Sequence, residues 1–219
     1  MEISEHNNVD VISYLKNGEY GGVSSEYERN EVLFRQGDLS GSIYYIISGK
    51  VELRIVSSGG KGAVVAVLSE ADFVGESCLT GQTDRNATAI AITPCRITRL
   101  EKAAFERTLS AEPSLMAFFL SRVLRRNIVL EEELVEQLFE PSEKRLARAL
   151  LRLAGERSDG NVYATMGKIS QETLAEMIGT TRSRVSHFMN QFRKHGLVEY
   201  NGHLLVHAAV IRRFLEDQA

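Results

Sequence analysis

The stretch Ile169–Val206, ISQETLAEMIGTTRSRVSHFMNQFRKHGLVEYNGHLLV, decides the fold of the C-terminal third of this chain. Ser170 is placed to cap a first helix that runs to about Ile178, with Leu174, Ala175 and Ile178 as its buried side. Gly179 ends it, because a helix stop needs the left-handed conformation that glycine adopts freely. Thr181 then caps a second helix that lasts to His195-Gly196. Val185, Phe188, Met189 and Phe192 keep one face of this second helix on a core. The other face carries Arg182, Ser183, Arg184, Ser186 and His187 near the helix start, the end that meets base edges when such a helix enters a major groove. Asn201-Gly202 is a strong hairpin-turn signal between Leu197–Tyr200 and His203–Val206. Two short helices, a Gly-Thr break and a hairpin are the sequence form of a winged helix-turn-helix.

Charge follows the same division. The chain has 219 residues and a formal net charge of −3. Residues 141–219 hold twelve Lys/Arg against eight Asp/Glu, a net +4, whereas residues 1–140 hold fourteen against twenty-one, a net −7. Thr180–His195 has four basic residues and no acid. A basic C-terminal unit joined to an acidic remainder is the electrostatic footprint of DNA binding. An apolar content of 43% is ample for folded cores, and no apolar run is long enough for a membrane span. The acidic, polar start MEISEHNNVD does not read as a signal peptide. Cys78 and Cys95 lack metal or redox spacing, so free thiols in a reducing cytoplasm are expected.

From Glu31 to about Leu100 the chain reads as all-β. Short strands are expected at Val32–Phe34, Ile43–Ser48, Val51–Val56, Ala63–Leu68, Thr88–Ile92 and Arg96–Leu100, separated by turn residues at spacings that suit a barrel or sandwich. Short helices are expected at residues 10–17 and Glu101–Leu109. Ser114–Phe139 is one long helical pattern; its twenty-six residues span about 39 Å. Met116, Leu120, Val123, Asn127, Leu130 and Leu134 step by four and three residues, a heptad seam for a parallel two-fold dimer. A second row, Leu115, Phe119, Leu124, Ile128, Val135 and Leu138, flanks it; one row can face the β domain and the other a partner helix. Pro141-Ser142 breaks the pattern and places a hinge near Glu140–Ser142. Glu143–Ala154 is the next helix. Ser158–Gly160 then forms a turn, Val162–Thr165 a strand, and residues 208–217 a terminal helix.

Between two of the strands lies FVGESCLTGQTDRNATAIA, Phe73–Ala91. Gly75, Glu76 and Ser77 are followed by Arg85, Asn86 and Ala87. A carboxylate at Glu76 can accept from a ribose hydroxyl, and the Arg85 guanidinium can fork onto a phosphate. Small residues beside the arginine let backbone N–H groups approach phosphate oxygens. This resembles the phosphate-binding cassette of cyclic-nucleotide-binding domains. Equally, Glu76 and Arg85 could simply pair with each other.

The order of β-roll, cassette, long helix and winged helix-turn-helix resembles the CRP/FNR superfamily of bacterial transcription regulators over about residues 10–210. The resemblance implies an α+β fold: a cyclic-nucleotide-binding-type, jelly-roll-like β-roll at 1–112, a long dimerisation helix at 113–140 and a winged helix-turn-helix domain at 141–219. It implies a cytoplasmic homodimer on a pseudo-palindromic duplex, contact with RNA polymerase, and gating by a small effector such as cyclic AMP. Arg182, Ser183 and His187 then occupy the base-reading positions, while Ser170, Thr180 and Arg184 suit phosphate contacts beside Thr181 and Ser186. Leu130-Glu131-Glu132-Glu133 stands where the family's cyclic-AMP sensors place a Thr-Ser pair against adenine. Leu130 and Glu131 are therefore candidate effector contacts, and base recognition departs from that pattern.

Two cysteines exclude the four-cysteine iron–sulfur sensors, and no His lies between residues 7 and 186 to ligate a haem. No nucleophile–base constellation points to an enzyme. Two further readings stay open: a regulator with a non-nucleotide effector or a vestigial pocket that binds DNA constitutively, and a cyclic-nucleotide-sensing module of a larger enzyme or channel, for which no attached segment is expected.

Overall fold

The structure, a computed structural model, describes residues 15, 21–60, 62–154, 163–164, 169–201 and 203–216. The chain divides into two compact units, Met1–Leu130 and Glu131–Ala219.

The first unit is a roll of two four-stranded antiparallel sheets. One has the order β1 (Val23–Tyr27), β8 (Cys95–Glu101), β3 (Ser42–Ser48), β6 (Phe73–Val74); the other has β2 (Val32–Phe34), β7 (Thr88–Ala91), β4 (Val51–Val56), β5 (Gly62–Leu68). All six sequence-read strands are present, with ends shifted by at most one residue. Strand β1 was not read, because its residues VSSEY are exposed along four of five positions and offer no apolar alternation. It is held by pairing with β8, Val23 opposite Arg99 through Tyr27 opposite Cys95.

Strand β3 is buried on both faces. Ile43, Tyr45 and Ile47 enter one core with Phe73, Leu100, Phe105, Leu115 and Phe118. Tyr44 and Ile46 point the other way, into a core shared by both sheets with Phe34, Val51, Leu53, Ala89 and Ile97. The first core is capped by helices α1 (Lys102–Ala111) and α2 (Pro113–Phe139). Burial of the Tyr45 ring pushes its hydroxyl up to about 12.

The long helix meets the roll differently from the two-row expectation. Leu115 and Phe118 are buried and Phe119 packs on the same core, but Leu124, Ile128, Val135 and Leu138 of the second row are exposed along with Met116, Leu120, Leu130 and Leu134 of the seam. Beyond Phe119 the roll is met by Arg122, Val123 and Arg126, and most of both apolar rows is exposed.

The second unit contains the last turns of α2, then α3 (Ser142–Ala154), β9 (Tyr163–Ala164), α4 (Gln171–Met177), α5 (Arg182–Lys194), the hairpin β10 (Val198–Asn201) and β11 (His203–Val206), and α6 (Ala208–Glu216). The three strands form one antiparallel sheet in the order β10, β11, β9. Leu146, Leu150, Leu174, Val185, Phe192 and Ile211, all under 2% exposed, form its interior. The expected turn at Ser158–Gly160 and most of the 10–17 helix lie outside the described residues.

Candidate functional site

Strand β6 delivers the cassette into the roll. Gly75 follows it with φ +81°, a left-handed conformation that also brings its backbone under Arg85; a Cβ there would collide with Arg85 Nη1. A short 3-10 turn, Glu76–Thr80, carries the next residues. Arg85 is fixed through its backbone, with Arg85 N donating to Asp38 O at 2.8 Å and Gly37 N donating to Arg85 O at 2.8 Å. The Gly37-Asp38 turn thus anchors the arginine.

The Arg85 side chain is 3% exposed. Its Nη2 donates to Ser42 O at 2.7 Å and Ser42 Oγ at 3.1 Å, and its Nη1 donates to Gly75 O at 3.1 Å. The guanidinium lies 4.2 Å from the Phe34 ring centroid and 5.7 Å from that of Tyr44. Its buried Nε has no hydrogen-bond partner. Among the described residues, the groups that accept hydrogen bonds from this cation are all neutral, so it is held by carbonyl, hydroxyl and ring faces without a directly paired carboxylate. That is the electrostatic condition of an anion site. Nearby Cys78 is fully buried; burial pushes its thiol up, with Arg85 pulling the other way.

Glu76 does not pair with Arg85. Its carboxylate accepts from Arg126 Nη1 of α2 at 2.6 Å. One turn earlier Asp72 accepts from Arg122 Nη2 at 2.8 Å. The acids are four residues apart on the roll and the arginines four apart on the helix, so two parallel ion pairs form a clasp. The crevice enclosed by Asp72, Phe73, Glu76, Arg122, Val123 and Arg126 measures about 10 Å³, the size of a single water site. The clasp was missed in the sequence, where the matched four-residue spacing of Asp72/Glu76 and Arg122/Arg126 is only a faint trace of it.

Of the other cassette residues, Ser77 buries a hydroxyl without a partner, Ala87 is 3% exposed and Asn86 faces solvent. Leu130 and Glu131 are on the exposed surface of α2, about a turn beyond Arg126.

In the second unit, Ser170 Oγ accepts from Thr173 N at 2.9 Å and Thr181 Oγ1 from Arg184 N at 3.4 Å, so both expected caps are present. Gly179 has φ +62°. Arg145 of α3 holds the end of α4, with Nε and Nη2 donating to Ile178 O at 3.2 and 2.8 Å. This places a cation on the carbonyl end of that helix, where the dipole favours it. Val185, Met189 and Phe192 are buried as expected, whereas Phe188 is only half-buried. Its ring is shared with the surface: the Arg184 guanidinium lies 5.8 Å from its centroid and the His187 ring meets it edge-on at 5.9 Å. Arg182, Ser183, Arg184 and His187 are exposed and Ser186 is half-buried. Thr180 is half-buried, its N–H donating to Ala175 O at 2.9 Å. Apart from Ser170, which caps α4, the expected base-reading and phosphate-contacting groups gather at the start of α5.

Known proteins carry both halves. The family model for the cyclic nucleotide-binding domain matches residues 24–112, and that for the Crp-like helix-turn-helix domain matches residues 144–209. The chain is 30% identical over 197 residues to the global nitrogen regulator of Nostoc, covering 86% of each protein. It is 26% identical over 185 residues to the cAMP-activated global transcriptional regulator CRP of Salmonella typhimurium, covering 83% of this chain and 87% of that one. Among solved structures, the c-di-GMP responsive global regulator CLP of Xanthomonas campestris superposes with a TM-score of 0.74 at 20% identity, covering 91% of this chain and 98% of that one. The chain belongs to the CRP/FNR family of transcription regulators, with a cyclic-nucleotide-binding-type roll and a DNA-binding helix-turn-helix. It is a regulator by family and not an enzyme. Among the described residues, no helix is long and apolar enough to cross a membrane.

Proposed function

We propose that this chain acts as a homodimer that binds a two-fold related duplex site and is gated by a small anionic effector in the roll, a cyclic nucleotide such as cyclic AMP. The observation that carries the effector half is the buried guanidinium of Arg85, without a directly paired carboxylate. Phosphate oxygens would replace Gly75 O and the Ser42 oxygens as its acceptors, with a gain from charge assistance. The 2′-hydroxyl of a ribose would then reach Glu76 only by sharing it with Arg126 or displacing that arginine. Ser77, Asn86 and Ala87 line the phosphate side; Leu130 and Glu131 are the candidates on the base side. The mostly exposed seam from Met116 to Leu134 supports the dimer, since exposed apolar rows on a single helix call for a partner helix. In the DNA-binding unit Arg182, Ser183 and His187 read bases, while Ser170, Thr180, Thr181, Arg184 and Ser186 position the backbone. By family, the bound regulator acts through RNA polymerase.

A second reading keeps the regulator and changes the ligand. With Glu76 occupied by Arg126, the cassette presents guanidiniums and little free carboxylate, which suits a non-nucleotide anion. A cAMP-activated relative and a c-di-GMP responsive protein of the same fold support a ligand that varies on this architecture.

Calorimetric titration of the purified protein with cyclic AMP and cyclic GMP, beside Arg85→Ala, tests the first reading. Saturable binding that disappears in a folded Arg85→Ala protein is the expected result. Absence of heat at millimolar nucleotide overturns the cyclic-nucleotide assignment and leaves the second reading.

A further inference from the structure

We infer that the last turns of the long helix, Glu133–Glu140, belong mechanically to the DNA-binding unit, held on α3 by a carboxylate–guanidinium ladder. The backbone break at Pro141 and the mechanical boundary are then different places, and the boundary lies N-terminal to Glu133, inside the helix. The ladder is written in matched spacing. Glu133, Glu136 and Glu140 fall at i, i+3 and i+7 on one helix, and Arg145, Arg148 and Arg152 repeat the same steps on the next. Arg148 grips Glu140 with both forks, at 3.0 and 2.8 Å. Arg152 Nη1 reaches both Glu136 oxygens at 3.0 and 3.1 Å, and its Nε lies 3.4 Å from Glu133. Arg145 Nη1 closes the turn on Gln137 O and Glu140 O, at 3.2 and 3.0 Å, while its other nitrogens hold Ile178 O. Gln137 also packs over Gly179, where any Cβ would collide with its Nε2.

Apolar burial does not make this attachment. Leu134, Val135, Leu138 and Phe139 are 56–79% exposed, and the buried apolar residues of α3 are Leu146, Ala147, Ala149, Leu150 and Leu153. The charged side chains are what join the two helices. Single exposed pairs contribute little, but bidentate arginines sharing carboxylates form a network.

Hydrogen–deuterium exchange on the full-length protein without ligand tests this. Amides at 134–140 are expected to open together with those of α3. In Arg148→Glu/Arg152→Glu their exchange is expected to rise roughly tenfold, the factor produced by about 1.4 kcal/mol of lost pairing, with the cassette unchanged. Adding Glu136→Arg and Glu140→Arg to that variant reverses the charges on both sides and restores slow exchange. If the reversal variant does not fold, Arg148→Lys/Arg152→Lys keeps the charge, removes the fork and gives a smaller rise of the same pattern. Exchange at 134–140 that is unmoved by both variants, or that follows residues 115–130 and not α3, overturns the inference.

Discussion

Apart from the phosphate contact proposed for it, Arg85 is a structural residue of the roll. Its guanidinium bonds Gly75 O and Ser42, tying the cassette to strand β3. Arg85→Ala leaves those buried acceptors without their donor, at a cost of about 1–3 kcal/mol. A denaturant titration checks this loss of stability, which occurs without any ligand and must be separated from loss of binding. Arg182 is exposed and has no structural duty of that kind. Arg182→Ala is expected to leave unfolding unchanged, to weaken DNA binding by about 1–3 kcal/mol and to relax preference at one base pair. Binding competition against a panel of single-base variants measures it; equal weakening on all sequences would make Arg182 a phosphate contact. The ladder carboxylates differ in the sign of their pH dependence. The hydrogen bond from Arg148 holds Glu140 below the ordinary 4.5, so its stabilisation is full above that value and is lost as pH falls through the lowered one. Burial raises Glu133, so its ionisation opposes folding as pH rises through its raised value. Glu140→Gln is therefore expected to flatten the acid limb below pH 4.5, read as the denaturant midpoint against pH. An unchanged limb would mean that the pair is too well solvated to matter.

At the scale of elements, the caps decide the helix-turn-helix. Thr181 N-caps the helix that presents Arg182 and His187, and Ser170 caps its predecessor. Thr181→Ala is expected to lower stability by about 1 kcal/mol and to weaken DNA binding through fraying of the first turn; Ser170→Ala should cost a similar amount of stability with less effect on DNA. Thermal unfolding and a binding titration on both variants check this. These caps were legible because capping is local: the side-chain oxygen and the N–H it serves are three residues apart. Short strands bounded by turn residues were legible for the same reason. What was not legible depended on distance in the chain. Strand β1 is specified by its β8 partner and not by its own residues. The partners of Glu76 and Arg85 lie 50 residues away on α2 and 43 residues away on β3, so sequence reading placed both groups in the cassette and missed their bonds. Long-range ion pairs leave only a faint trace in sequence, here the repeated spacing of acids and arginines.

For the whole molecule, the exposed apolar residues of the long helix are the feature that the proposed homodimer has to cover. Leu120→Glu/Leu134→Glu places charges in the seam away from the roll core, and is expected to convert a dimer into a folded monomer in sedimentation equilibrium, with DNA affinity falling steeply because one half-site alone is engaged. A variant that remains dimeric would move the interface off this helix. The cassette clasps the helix through Arg122 and Arg126, and the DNA-binding unit holds its last turns from Glu133 onward. The most direct test of the central claim is enrichment of duplexes from a random pool by the full-length protein, with and without cyclic AMP. The account predicts a two-fold symmetric consensus with half-site centres one helical turn apart, lost in Arg182→Ala. Recovery of no consensus under either condition, or of a single asymmetric half-site, would contradict a dimeric sequence-specific regulator.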